Sequence, residues 1–199
     1  MSIGASTPDI AASRSGGRRL SAPTLLLHWL VGLGVLGLLA YGFWLQTLPS
    51  GAGKAPAVQI HKSFGMLVFG LALLRVAWRC HEGFPEPAGP HRHWERRSAI
   101  VLHSFLMAAT LLMPITGILR SLAYARPVAV FGLPVIPKLF ETKQELLYEI
   151  SSKLHDSLAF VLAGAIALHV AAALIHQTRA GDATLGRILG GRGPTQTPG

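Results

Sequence analysis

Cysteine is nearly missing from the chain. Cys80 is the only one in 199 residues, which excludes an intrachain disulfide and any Cys-rich zinc or iron–sulfur centre; a small buried hydrophobe is its plainest reading. Charge is scarce too. Asp, Glu, Lys and Arg make up 14% of the residues, where a soluble domain carries about a quarter. Half of the chain is hydrophobic and its mean hydropathy is +0.43, so the composition is that of an integral membrane protein with one domain. What charge there is leans one way, to a net +9. That excess alone would suit a nucleic-acid binder, yet no RNA- or DNA-binding motif is present. The basic residues instead flank apolar runs, which is how loop charges set membrane orientation.

The stretch from Lys153 to Gln177 carries no formal charge after Asp156, and the next charge is Arg179. It is long enough to cross a bilayer as one helix, and it has His155 at its start and His169 within it. These two are 14 residues apart, which is roughly 21 Å of helix rise with the side chains within roughly 40° of one direction. One helix thus presents two imidazoles at two depths on one face. Ionisable groups inside a membrane span are expensive and mark function by default.

Taken in order, residues 1–20 form a Ser/Gly/Ala-rich tail ending in Arg18-Arg19. A paired arginine before an apolar run, with Ala55-Pro56-Ala57 after it, has the outline of a secretion signal. The uncharged run from Ser21 to Gly53 is too long for one, and three more apolar segments follow. Within a core domain of 21–178 the spans are predicted at 25–46, 59–79, 98–119 and 155–177. Pro114 should kink the third. Trp78 and Trp94 suit interfacial anchors. The glycines of VGLGVLGLLAYG suit either close helix packing or the approach of a flat ligand. His81, His91 and His93 fall in a polar loop and read as solvated. The connection 120–152 is the longest; its first part carries three prolines, its second is amphipathic and helical in pattern, and together they suggest a lid. Residues 179–199 form a basic Gly/Pro-rich tail. The predicted architecture is an all-α membrane protein, a four-helix up-down bundle. The arginine-rich segments favour both termini on the cytoplasmic side.

Up-down order assigns each histidine a depth. His28 in span one and His169 in span four fall at the cytoplasmic level; His61 in span two and His155 fall at the outer level. Two imidazole pairs at two levels of a bundle core can each hold a planar cofactor by axial ligation, and haem iron accepts this arrangement. Two axial histidines leave no open iron position, which favours electron transfer over oxygen chemistry. Arg75 lies 14 residues beyond His61, at the inner level, where a haem propionate would answer its charge. His103 is at the inner level with no histidine left to pair with, and His176 is at the cytoplasmic edge.

The segments LHWL at His28, IHKSFG at His61 with Arg75 following, HSFLMAATLLMPITG at His103 and Pro114, FGLP, LHDSLA at His155 and LHVAAALIH at His169 and His176 together resemble the prokaryotic cytochrome b561 family. The resemblance covers Ser21 to about Gly190 and implies a four-helix membrane cytochrome with two b haems, ligated by His28 with His169 and His61 with His155. It also implies traffic with a quinone pool and an oxidoreductase activity like that of a superoxide:ubiquinone oxidoreductase. The donor would be superoxide or a periplasmic redox protein, drawn in by Arg126, Lys138, Lys143 and Lys153. On this reading His103 and His176 support proton uptake at the quinone. Two other readings make different predictions. A haem subunit anchoring a larger respiratory dehydrogenase or hydrogenase would carry a stable partner. A haem-free transporter, its histidines lining a polar path, would be colourless.

Overall fold

The computed structural model describes residues 20–83, 93–175, 177–178, 186 and 188–189. Four long helices carry the fold: α1 (Ala22–Thr47), α2 (Lys54–Glu82), α3 (His93–Ala123) and α4 (Glu145–Ile175). They have 26, 29, 31 and 31 residues, and each is long and apolar enough to cross a membrane. A small antiparallel hairpin, β1 (Val128–Val130) and β2 (Leu133–Ile136), lies between α3 and α4. The chain is therefore a four-helix, multi-pass membrane protein.

Local chemistry sets the ends of these helices. Ser21 caps α1, its hydroxyl accepting from the Thr24 amide at 3.4 Å, with proline in the first turn, where a missing N–H does no harm. Gly83, at φ 82°, stops α2, a left-handed position that glycine takes without strain. The helices outrun the apolar spans because polar turns continue them past the hydrophobic runs. α3 begins at His93, so the polar stretch 93–97 is helical, and His81 lies in the last turn of α2. Cys80, expected to be buried, is exposed, because Arg79 beside it takes the inward position in that turn of α2. His91 falls outside the described residues.

The connection expected over 120–152 is shorter than the sequence suggests. α3 runs on to Ala123, and α4 starts at Glu145, so the amphipathic segment forms the first turns of α4. Nothing between Glu145 and Gly164 breaks a helix, and an acidic residue in the first turn suits the helix dipole. What remains is 124–144. Its two strands meet at a tight turn in which Phe131 (φ 49°) and Gly132 (φ 90°) are both left-handed, the geometry that fits the twist of a hairpin.

The close helix pairs are α1–α2, α2–α3 and α3–α4, with the hairpin packed on α2. The core is built from Val31, Val35, Leu39, Ala72, Ala109, Ala159 and Leu162. Three alanines among these let the helices approach. Gly34 does the same for α1 and α2, since a Cβ there would lie 2.6 Å from Val68 Cγ2. Large side chains such as Leu33, Leu74, Phe160 and Leu168 face outward, as a lipid-facing surface requires. At the end where α1 starts and α4 finishes, Glu82 accepts from Thr24 Oγ1 (2.5 Å), Trp78 Nε1 (3.1 Å) and Arg79 Nη1 (3.3 Å). The predicted anchor Trp78 is thus also a tie between α1 and α2.

Candidate functional site

Two clusters of imidazoles occupy the bundle, one towards the β-hairpin and one towards the termini. At the hairpin end His61 of α2 faces His155 of α4, ring centroids 6.4 Å apart and planes at 83°. At the termini end His28 of α1 faces His169 of α4, again 6.4 Å apart, with planes at 58°. Neither pair lies between helices that pack closely on one another: both bridge the two helical hairpins, α1–α2 and α3–α4.

The separation has a chemical meaning. A five-membered ring with bonds of about 1.35 Å has a centroid-to-nitrogen distance of about 1.15 Å. A metal–imidazole bond is about 2.0 Å. One metal bound on opposite sides by two imidazoles therefore sets their centroids about 6.3 Å apart. Both pairs stand within a tenth of an ångström or so of that figure. Direct ring stacking or an imidazole–imidazole hydrogen bond would draw them closer.

The donor atoms at the hairpin end also suit a metal. His155 Nδ1 lies 3.0 Å from Thr116 Oγ1 and 3.2 Å from the Met113 carbonyl. A carbonyl only accepts, so Nδ1 carries the proton and Nε2 keeps its lone pair. The Thr116 hydroxyl gives its own proton to the same carbonyl at 2.7 Å, leaving its oxygen free to accept. Such an outer contact fixes tautomer and ring direction in metal-ligating histidines. Gly117 makes it possible, because a Cβ there would sit 3.2 Å from His155 Cε1. His61 comes equally close to α1 at Gly42, where a Cβ would lie 3.3 Å from its Cε1, and stacks on Tyr41 at 6.1 Å and 10°. His61 Nδ1 is buried with no hydrogen-bond partner among the described residues. The cavity lined by the two rings is walled mostly by apolar groups, among them Val35, Leu39, Val68, Met113 and Leu162, with Thr110 also on its wall.

The termini end is different. Arg75 Nη2 lies 3.4 Å from His28 Nδ1. Guanidinium only donates, so here Nδ1 accepts and the His28 proton sits on Nε2. His103 packs edge-on against His169 at 5.1 Å and 81°, and its Nδ1 donates to the Ala99 carbonyl at 2.7 Å. This level thus holds three imidazoles and one guanidinium. His176 lies outside the described residues.

Charges at the hairpin end are mostly paired. Arg120 bonds Asp156 at 3.0 Å, and Lys143 bonds Glu145 at 2.6 Å; that carboxylate raises the Lys143 ammonium above the usual lysine range. Arg126 and Lys143 lie over the face of Tyr124, 4.1 and 5.5 Å from its centroid. The hairpin is tied to the turn of α2 that carries His61. Gln59 Nε2 donates to the Ala129 carbonyl (3.4 Å), Lys62 Nζ to Ser121 Oγ (2.8 Å) and the Pro127 carbonyl (3.0 Å), and the Phe131 amide to Ser63 Oγ (2.9 Å). Sequence reasoning missed these supporting groups. Gly117 stands only three residues after Pro114, and nothing near it in the sequence points to His155. A carbonyl such as that of Met113 has no signature in a sequence.

Long apolar helices that carry paired imidazoles in their core define a membrane protein built to hold a metal cofactor. The model of the family described as prokaryotic cytochrome b561 matches residues 19–191. Cytochrome b561 homolog 2 of Escherichia coli (strain K12) is 32% identical over 166 residues, covering 82% of this chain and 87% of the relative. Cytochrome b561 homolog 1 of the same organism is 25% identical over 172 residues, covering 86% and 97%. The chain belongs to the prokaryotic cytochrome b561 family. It is a transmembrane b-type cytochrome of a bacterial membrane, binds haem b and works in electron transfer.

Proposed function

We propose that the bundle holds two b haems, one between His61 and His155 and one between His28 and His169. The equal 6.4 Å spacing of the two imidazole pairs is the observation that carries this reading. When bound, the haems supply a one-electron route through the membrane between a periplasmic donor, superoxide or a small redox protein, and membrane quinone. The residues do the rest. His155 is aimed by Met113 and Thr116 so that Nε2 is free to ligate. Arg75 leaves His28 to neutralise a haem propionate, which returns the His28 proton to Nδ1. His103 holds a proton on Nδ1 and keeps an acceptor at Nε2 beside His169, a place from which to pass a proton to reduced quinone; His176 shares that task. The hairpin end faces the periplasm and both termini the cytoplasm, in keeping with the arginine-rich inner segments.

The test is haem per polypeptide by pyridine haemochrome on purified protein. About two low-spin haems per wild-type chain are expected. His155→Ala and His169→Ala should each retain about one. A wild-type content of one would remove one of the pairs from the assignment. Quinone reduction by His103→Ala with both haems in place should fall if His103 delivers protons, and an unchanged rate removes that role.

A further inference from the structure

Lys62 is the residue after His61, and its ammonium is half-buried at the hairpin end of α2. Among the described residues its partners are all neutral, Ser121 Oγ at 2.8 Å and the Pro127 carbonyl at 3.0 Å. An ammonium has three N–H donors, so one is unused. The charge that acts on it is another cation, Arg126. The nearby acids are committed elsewhere, Asp156 to Arg120 and Glu145 to Lys143. A partly buried charge without a counter-charge is costly, whereas a carboxylate within hydrogen-bond reach turns it into a charge-assisted pair. At the termini end Arg75 stands likewise without an acid among the described residues, its one hydrogen bond being to His28.

We propose that Lys62 is the cation that receives a carboxylate of the haem at the hairpin end, and that it sets that haem's reduction potential. The proposal rests on the two-haem reading above. Lys62 touches Ser121 of α3, one turn beyond Gly117, the residue against which the His155 ring lies. The ammonium is therefore held at the hairpin end of the bundle, on the α3 side and about one helical turn beyond Gly117, a place the acidic edge of a flat tetrapyrrole held by the His61 and His155 rings would reach. Its two neutral bonds hold the side chain in place; the third donor and the charge are left for the carboxylate. A cation at this place stabilises the reduced, more negative form of the site, so its removal lowers the potential. Lys62 is a positioning residue: it acts on the redox centre through the carboxylate.

The experiment is a spectroelectrochemical titration of the haem-loaded full chain with three variants of the site and one modified haem. Wild-type protein with two haems gives two midpoint potentials; fewer than two haems would be a failure of the two-haem reading, seen before any variant is made. Lys62→Gln, which keeps a hydrogen-bonding side chain but drops the charge, is expected to lower one midpoint and leave the other. Lys62→Arg is expected to restore it. Ser121→Ala cuts the tie to α3 and keeps the charge, so it should lower that midpoint much less than Lys62→Gln does. Protein reconstituted with haem dimethyl ester, which has no free carboxylates, should show little difference between wild type and Lys62→Gln. Three results would each overturn the proposal: Lys62→Gln moves neither midpoint with haem content intact; Ser121→Ala lowers the same midpoint as much, so that the effect runs through the hairpin tie; or the Lys62→Gln shift persists undiminished with the ester.

Discussion

The two histidine levels share a spacing and differ in everything that surrounds it. At the hairpin end the pair is prepared: a backbone carbonyl holds the His155 tautomer, glycines at 42 and 117 let both rings settle against helix backbones, and three side chains pin the β-hairpin over the turn that carries His61. At the termini end the pair is unprepared. The group on His28 Nδ1 is a cation that forces the wrong tautomer for ligation through Nε2, and a third imidazole crowds His169. On the two-haem reading proposed above, one site asks little of the protein when a cofactor binds, and the other requires Arg75 to turn. Preorganisation of this kind shows as affinity, because ordering costs are met before binding.

The largest expected effect that separates the levels comes from Arg75. Arg75→Gln removes the cation bonded to His28 and, on the two-haem reading, the counter-charge for a propionate. A hydrogen bond to a charged group is worth about 1.5–3 kcal/mol, so haem at the termini end should bind roughly ten- to a hundredfold more weakly. Haem at the hairpin end should be untouched. Stepwise haem titration of the variant, followed in the visible spectrum, distinguishes the two. Equal weakening of both haems would break the comparison.

Gly117→Ala attacks the prepared site instead. A Cβ 3.2 Å from His155 Cε1 and 3.5 Å from Nδ1 pushes the ring off its carbonyl. Displacing a side chain from its rotamer costs about 1 kcal/mol, a loss of about fivefold in haem affinity at the hairpin end only. Alanine also favours a helix over glycine by about 1 kcal/mol. The haem-free protein should therefore melt at the same or a higher temperature while binding its cofactor less well. A parallel fall in both quantities would mean that Gly117 serves only helix packing.

This contrast between levels was only half legible in the sequence. The spans were readable because apolar length is a local property, and the depths of His28, His61, His155 and His169 followed from helix rise and up-down order alone. The glycines of α1 had two readings, and the structure divides them: Gly34 meets Val68, while Gly42 meets His61. What could not be read was whatever depends on partners far apart in the chain. The strands at 128–130 and 133–136 are short, and one contains Pro134. They exist because Gln59, Lys62 and Ser63, some 60 to 70 residues earlier, bind their backbone. The packing of His103 against His169 and the tie of His155 to the Met113 carbonyl are likewise tertiary, and neither leaves a periodicity to find.

The smallest expected effect sharpens the claim that backbone, more than side chain, prepares the hairpin-end site. Thr116→Val removes one of the two acceptors of the His155 Nδ1 proton. It also removes the hydroxyl that donates to the Met113 carbonyl at 2.7 Å, so that carbonyl becomes a better acceptor for the imidazole. The two changes oppose each other. A single neutral hydrogen bond is worth about 0.5–1.5 kcal/mol, and with the carbonyl strengthened the net loss should lie at the bottom of that range, about twofold in affinity. Haem content and the low-spin spectrum should stay as in the wild type, with the loss visible only in competition against a haem scavenger. If Thr116→Val weakened the hairpin-end haem as much as Arg75→Gln weakens the other, the Met113 carbonyl would not be what holds His155. Both sites would then rely on a single replaceable side chain, and the difference in preparation between the levels would disappear.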